Sequence, residues 1–248
     1  MRLVSLYGRF RSVELLREGA RSWGMELGSA QLKAFDLYRE WLLTWNRRLN
    51  LTRITEPAEV EVLHFLDSLS CLLVLDPLPA GTRLIDVGAG AGFPGIPLKI
   101  MVPGLELALL EATAKRSRFL EAVAEALGLS PVEVIQARAE EAGQHPDYRE
   151  RYDVGVARAV GPLPVLLEYV LPLVLVGGAF IAQRGTEAEA EVASSGMALE
   201  RLGGEVADIR PVRLPGAYKI RHLVRVEKVT PTPARYPRRP GIPRKRPL

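Results

Sequence analysis

The amino-acid sequence predicts an α/β protein: a doubly wound, mostly parallel seven-stranded sheet preceded by an N-terminal helical extension. Three observations lead there. From residue 82 onward, short apolar runs alternate with segments of helical periodicity, as in a parallel sheet built from right-handed crossovers. Near the C-terminus two strand-like runs follow one another directly, which predicts an antiparallel pair at one edge. Before residue 80 the apolar spacing is helical throughout.

The elements follow in order. SVELLREGARSWG (12–24) is a first helix. SAQLKAFDLYREWLLTWNRRLN (29–50) is a longer one, with Ser29 placed to cap it and Leu32, Phe35, Tyr38, Leu42, Trp45 and Leu49 at helical spacing. Trp41 and Trp45, one turn apart, read as core. EPAEVEVLHFLDSLSCLLVL (56–75) opens with Pro57, which a helix start tolerates, and stops before the turn-rich DPLPAG. TRLIDV (82–87) is a buried strand, GIPLKIMV (95–102) a short helix, and ELALLE (106–111) a second strand. TAKRSRFLEAVAEALG (113–128) is a helix with Thr113 as cap and Gly128 as stop. VEVIQA (132–137) is a third strand, EEAGQHP (140–146) a turn or short helix, and YDVGVAR (152–158) a fourth strand. PLPVLLEYVLPLV (162–174) is a helix, GGAFIAQRG (177–185) a fifth strand, and EAEAEVASSGMALERLG (187–203) a helix. EVADIRPVRL (205–214) and IRHLVRVEKV (220–229) are the closing pair of strands. The organisation expected is a helical extension (1–80), a ligand-binding domain (81–234) and a basic tail (235–248).

Composition bounds the function. The chain has 248 residues, 48% hydrophobic and 25% charged, an ordinary globular balance. No apolar run is long enough to span a membrane. Arg9 and Arg11 interrupt the stretch where a signal peptide needs an unbroken apolar core. Cys71 is the single cysteine, set in the apolar LDSLSCLLVL and expected in the core. A cytoplasmic protein without a membrane partner is expected. The net charge of +4 is uneven. The ending RYPRRPGIPRKRPL carries Arg235, Arg238, Arg239, Arg244, Lys245 and Arg246 with no acid, and reads as an extended phosphate-binding arm.

LIDVGAGAGFPGIP (84–97) can be parsed in two registers. From Gly90 it is G-x-G-x-x-G through Gly92 and Gly95, the dinucleotide pattern. From Asp86 it is D-x-G-x-G-x-G, which suits a nucleoside ligand without phosphate. Glu111, at the end of the second strand, serves ribose hydroxyls in either case. Asp86 would repel a pyrophosphate but attract the ammonium of a methionine moiety. Pro94 has no N–H to offer a phosphate. Ala139 and Glu140, just past the third strand, offer an adenine ring an apolar wall and an acceptor. Together these favour S-adenosylmethionine. The alternatives are an NAD-dependent oxidoreductase in the Gly90 register, or a non-catalytic S-adenosylmethionine-sensing RNA-binding module.

NLTRIT (50–55), HFLDSL (64–69), LIDVGAGAGFPGIPLKI, ARAEE (137–141), ARAVGPLPVLLEYVLPLV and the ending RRPGIPRKRPL together resemble the RsmG (GidB) family. The likeness runs from about residue 30 to the C-terminus. It implies a class I, Rossmann-like, S-adenosylmethionine-dependent methyltransferase acting on a guanine N7 of 16S rRNA, with the rRNA or small ribosomal subunit as partner, no metal, and a monomeric chain. It carries cofactor roles to Gly88, Phe93, Glu111, Ala112, Thr113, Ala139, Glu140 and Arg158, with Asp86, Gly90 and Gly92 supporting the loop. The first 28 residues are longer than the family's usual start and receive no role.

The chemistry implied is undemanding. Guanine N7 has an in-plane lone pair and no proton to lose, so positioning in line with the departing sulfur suffices, with no general base or nucleophile. Arg158 can organise the site or contact the cofactor's carboxylate or guanine O6, the bland alternative being a salt bridge to Asp86 or Glu111. Asn50 and Arg53 are substrate candidates at the mouth. His64 and Asp67 share a helix face, as a substrate-facing pair or as a helix-to-domain link. Lys115, Arg116 and Arg118 form a basic helix face which, with Arg238, Arg239, Arg244, Lys245 and Arg246, can follow RNA phosphates.

Overall fold

The computed structural model describes residues 13–75, 77–158, 160–216 and 220–248. The expectation drawn from Arg9 and Arg11, the first helix's Ser12, Asp76 of the DPLPAG turn and Ala159 of ARAV lie outside them.

Seven strands form one sheet in the order β3-β2-β1-β4-β5-β7-β6. They are β1 (Arg83–Val87), β2 (Glu106–Leu110), β3 (Val132–Ile135), β4 (Tyr152–Arg158), β5 (Val174–Arg184), β6 (Gly204–Val212) and β7 (Arg221–Lys228). The first five are mutually parallel. β7 enters antiparallel between β5 and β6, as its place directly after β6 in the sequence predicts. The order reverses between β1 and β4, which opens a crevice beyond their carboxyl ends.

One face of the sheet carries α1 (Glu14–Ser22), α2 (Ser29–Leu49), α3 (Pro57–Val60), a π-helical stretch (Glu61–Leu66), α4 (Asp67–Leu69), α5 (Leu72–Leu75), α6 (Gly95–Met101) and α7 (Ala114–Ala126). Leu16, Phe35, Tyr38, Leu42, Phe65 and Leu66 share one buried cluster with Leu84, Val156, Ile181 and Leu223 of the sheet. The change near residue 80 is therefore one of element type, and the helical extension shares the sheet's core. Buried Glu61 ties α1 down, accepting from the backbone N–H of Val13 (3.2 Å) and Leu15 (3.0 Å) and from Arg39 (2.7 Å). The opposite face carries α8 (Ala139–Ala142), α9 (Leu163–Val170), α10 (Ala188–Ala193) and α11 (Gly196–Leu202) over a second cluster that includes Val87, Leu166, Phe180 and Val226.

Three local expectations are corrected. Gly28, not Ser29, precedes α2, and the Gln31 side chain accepts its N–H at 2.7 Å. The single helix expected over 56–75 is interrupted, because Ser68 and Ser70 hydroxyls take the His64 and Asp67 carbonyls at 2.6 and 2.5 Å. The helix expected over 187–203 breaks at Ser194 and Ser195, whose hydroxyls both take the Glu191 carbonyl.

The basic ending is not a free arm. Arg149 donates to the carbonyls of Thr232 (2.6 Å) and Tyr236 (2.8 Å), and Gln144 to those of Ala234 (3.1 Å) and Pro237 (2.9 Å). Arg238 engages Glu168, whose side chain has no exposed surface, through its backbone N–H (2.8 Å), Nε (2.8 Å) and terminal nitrogen (2.5 Å). Gly241 N–H then donates to Glu140 at 2.8 Å, and a last turn, α12 (Ile242–Lys245), follows with Pro243 buried.

Candidate functional site

A cavity of about 830 Å³ opens at the carboxyl ends of β1, β2, β3 and β4. Its floor is the glycine loop, where Gly88, Ala89, Gly90, Ala91 and Phe93 line it. Glycine is required in this loop for both conformation and space. Gly92 has φ +92°, and a Cβ there would stand 2.5 Å from the Ile96 side chain and 2.7 Å from the Tyr38 hydroxyl. That hydroxyl donates to the Ala91 carbonyl at 2.5 Å, so α2 holds the loop directly. Tyr38 also packs on Phe65 and Phe93, with ring centroids 5.2 and 5.4 Å apart.

The loop's amides decide between the two registers. Gly90 N–H donates to Glu111 Oε2 at 3.1 Å, and Gly95 N–H to Asp86 Oδ2 at 2.8 Å. In the dinucleotide register these are the first and third glycines. Their donors face carboxylates, which repel a pyrophosphate. The Gly90 register is thereby corrected in favour of the one that starts at Asp86.

Asp86 itself is placed differently from the expectation. Its side chain is sealed beneath the loop, off the cavity wall, with Oδ1 buried and unpaired. Burial pushes its carboxyl up to about 7, against the opposing pull of the Gly95 hydrogen bond and Arg158. It secures the loop and the start of α6. Gly92 and Thr113 also lie off the wall; Thr113 gives its N–H to Glu111 Oε1 at 2.8 Å and makes no side-chain cap.

Glu111, Ala112, Ala139, Glu140 and Arg158 do line the cavity. Glu111, just past β2, and Glu140, in α8, are both buried acceptors, and Ala112, Ala137 and Ala139 line the cavity with them. Glu140 serves the C-terminal segment as well, through Gly241. Two carboxylates, small apolar walls and a tight glycine turn fit a nucleoside ligand with hydroxyl and amine donors.

At the opposite end, Arg158 organises a cluster. It donates to Asp67 Oδ2 at 3.1 Å, to the Leu63 carbonyl at 3.3 Å and to His64 Nδ1 at 3.3 Å, with its guanidinium carbon 4.8 Å from the Phe93 ring centre. Its carboxylate partner is thus Asp67. His64 stacks on Phe93 at 4.5 Å with planes 11° apart, and its Nε2 lies 2.8 Å from Thr52 Oγ1. Since guanidinium only donates, Nδ1 accepts and Nε2 carries the proton. Burial, helped by the Arg158 charge, drives His64 down to about 3, so the ring is neutral near pH 7. His64 and Asp67 link the helix to β4 through Arg158, and both line the cavity.

The substrate candidates divide. Asn50 and Arg53 are exposed and off the wall, whereas Leu51, Thr52 and Ile54 from the same NLTRIT segment line it. Asn50 ends α2 in a left-handed conformation (φ 50°), and the turn sends its neighbours inward instead. Arg116 and Arg244 reach the cavity; Lys115, Arg118, Arg239, Lys245 and Arg246 are exposed away from it, and Arg238 is taken by Glu168. Sequence reasoning missed Tyr169, Gln183 and Arg221, which line the cavity. Gln183, a lone amide in an apolar strand, was the available signal: its Nε2 donates to the Asp67 carbonyl at 2.6 Å. Cys71 is buried and its thiol is pushed up by burial, as the core expectation holds.

A seven-stranded sheet with β7 antiparallel between β5 and β6, and a glycine-floored cavity at its switch point, define a class I S-adenosylmethionine-dependent methyltransferase. The fold is similar to that of TrmN from Thermus thermophilus (TM-score 0.51, 19% identity, 66% of this chain and 48% of that one). It is similar also to M. jannaschii TYW2 in complex with AdoMet (TM-score 0.51, 14% identity, 66% and 77%). Residues 31–223 match the family described as GidB, rRNA small subunit methyltransferase G, and the chain belongs to that family. The ribosomal RNA small subunit methyltransferase G of Roseiflexus castenholzii is 48% identical over 235 residues, covering 95% of this chain and 99% of that protein. That of Thermoanaerobacter sp. is 46% identical over 238 residues, covering 96% and 99%.

Proposed function

We propose that the protein transfers the methyl group of S-adenosylmethionine to N7 of a guanine in 16S rRNA, acting as a monomer in the cytoplasm on the rRNA or the small subunit. When bound, the cofactor supplies an electrophilic methyl on a sulfonium. Glu111 would hold its ribose, Ala139 and Glu140 its adenine, and the backbone from Gly88 to Gly90 would support its middle.

The observation that carries the N7 assignment is the state of His64. Its Nδ1 accepts from Arg158 and its Nε2–H faces Thr52 Oγ1. Neither nitrogen is free to take a proton from a substrate. Asp67 is paired with Arg158 through Oδ2, while its buried Oδ1 makes no hydrogen bond and stands 3.5 Å from Arg221. An end of the cavity where His64 is engaged at both nitrogens and Asp67 is paired with Arg158 suits a nucleophile that loses no proton, and guanine N7 is one. The residues' work is to position the base and exclude water.

The test is methyl transfer from labelled S-adenosylmethionine to small subunits, and to naked 16S rRNA, from a strain lacking the gene. Digestion and mass spectrometry should recover N7-methylguanosine. No incorporation into either substrate, or label on another base atom, would overturn the reading.

A further inference from the structure

We propose that the C-terminal segment is a wall of the cofactor cavity and that its Arg244 binds the cofactor's adenine end. The proposal rests on the cofactor reading above. The sequence marks this segment as an arm for RNA phosphates, but its geometry points inward. Each stretch between residues 232 and 241 is fastened to the domain, by Arg149, Gln144, Glu168 and Glu140 in turn. The last fastening falls on Glu140, itself a cavity residue, and three positions after Gly241 the chain delivers Arg244 to the same wall.

The neighbours define what Arg244 meets. It lines the cavity with Tyr169 and Glu140, just past β3, at the end where Ala137 and Ala139 form the apolar wall. A guanidinium is flat and carries five donors, so it can lie against a heteroaromatic ring or donate to its ring nitrogens. Adenine offers both. A phosphate is the poorer partner here, because the Glu140 carboxylate lines the same cavity. Arg239, Lys245 and Arg246 lie off this wall, so the cations of the segment divide into one facing the cavity and others facing outward.

The experiment is calorimetric titration of the full-length protein with S-adenosylhomocysteine, comparing wild type, Arg244→Ala and Arg246→Ala. Arg244→Ala is expected to raise Kd by about 10-fold, a loss of the size one well-placed contact gives. Arg246→Ala is expected to leave it unchanged. Arg244 is exposed at the rim, so its variant should melt with wild type, and equal melting temperatures confirm that folding is not the cause. If wild type binds and Arg244→Ala binds as tightly, the proposal fails, and a reduced salt dependence of RNA binding in that variant would reassign Arg244 to phosphate. If wild type binds neither S-adenosylmethionine nor S-adenosylhomocysteine, the cofactor reading fails and this proposal falls with it.

Discussion

Arg158 at the end of β4 and Asp67 in α4, 91 residues apart in sequence, meet at 3.1 Å with Asp67 almost fully buried. The same carboxylate faces Arg221 of β7 at 3.5 Å, so one anion holds two cations at the mouth of the cavity. This relation joins the helical extension to the sheet at one end of the cavity.

Asp67→Ala removes the anion and leaves Arg158 with its charge uncompensated in a partly buried place. Breaking such a pair costs about 3–5 kcal/mol. Urea denaturation should show a lower midpoint at an unchanged slope. A loss below about 1 kcal/mol would mean that the pair is solvated and weak.

His64 is expected to stay neutral throughout the working pH range. Its folded value of about 3 lies below the ordinary 6.5, so the unfolded chain binds the extra proton between them. Its contribution to stability is present above about 6.5 and is lost as pH falls towards 3. Nitrogen-15 NMR should report the Nε2–H tautomer at pH 6 and no titration down to pH 5. A protonated ring at pH 6 would restore His64 as a candidate acid and weaken the N7 argument.

Asp86 behaves in the opposite sense. Burial lifts it from 3.8 to about 7, so the folded state holds the proton that the unfolded state has released. Its contribution is present below 3.8 and is lost as pH rises through 7. Asp86→Asn keeps an acceptor for Gly95 N–H and carries no charge. The variant should gain on wild type as pH is raised from 4 to 8, read as the difference in melting temperature. A difference that is flat with pH would show that Asp86 is not desolvated.

The strand ends were readable in the sequence, because alternation of strand and helix fixes where each strand stops. Glu111, Ala139 and Arg158 fall there, and the structure brings them to one cavity. The partner of Arg158 was not readable. It depends on a π-helical stretch that sets the angle from which His64 and Asp67 approach β4, and no residue pattern announces that geometry. In NLTRIT the sequence pointed to Asn50 and Arg53 at the mouth, whereas Leu51, Thr52 and Ile54 are the residues that line the cavity, after a left-handed turn at Asn50 that the residue pattern does not announce. The docking of the tail was missed for a different reason. Charge density spoke for a free arm, whereas the residue that signals docking is Glu168, a single carboxylate inside the apolar PLPVLLEYVLPLV. A fully buried carboxylate requires a cation, and Arg238 supplies it.

That pairing divides the tail's cations by function, and RNA binding should show the division. Arg239, Lys245 and Arg246 are exposed and lie off the cavity. Each cation that neutralises a phosphate on single-stranded RNA adds about 0.7 to the slope of log K against log salt. Replacing all three by Gln should flatten the slope by about 2 with the melting temperature unchanged. Arg238→Ala should do the reverse. It leaves Glu168 buried without its cation, so it should lower the melting temperature, while the salt slope moves little because Arg238 is already neutralised. A slope that falls equally in both variants would mean that the tail leaves the domain to bind RNA and that the Arg238–Glu168 pair opens when it does.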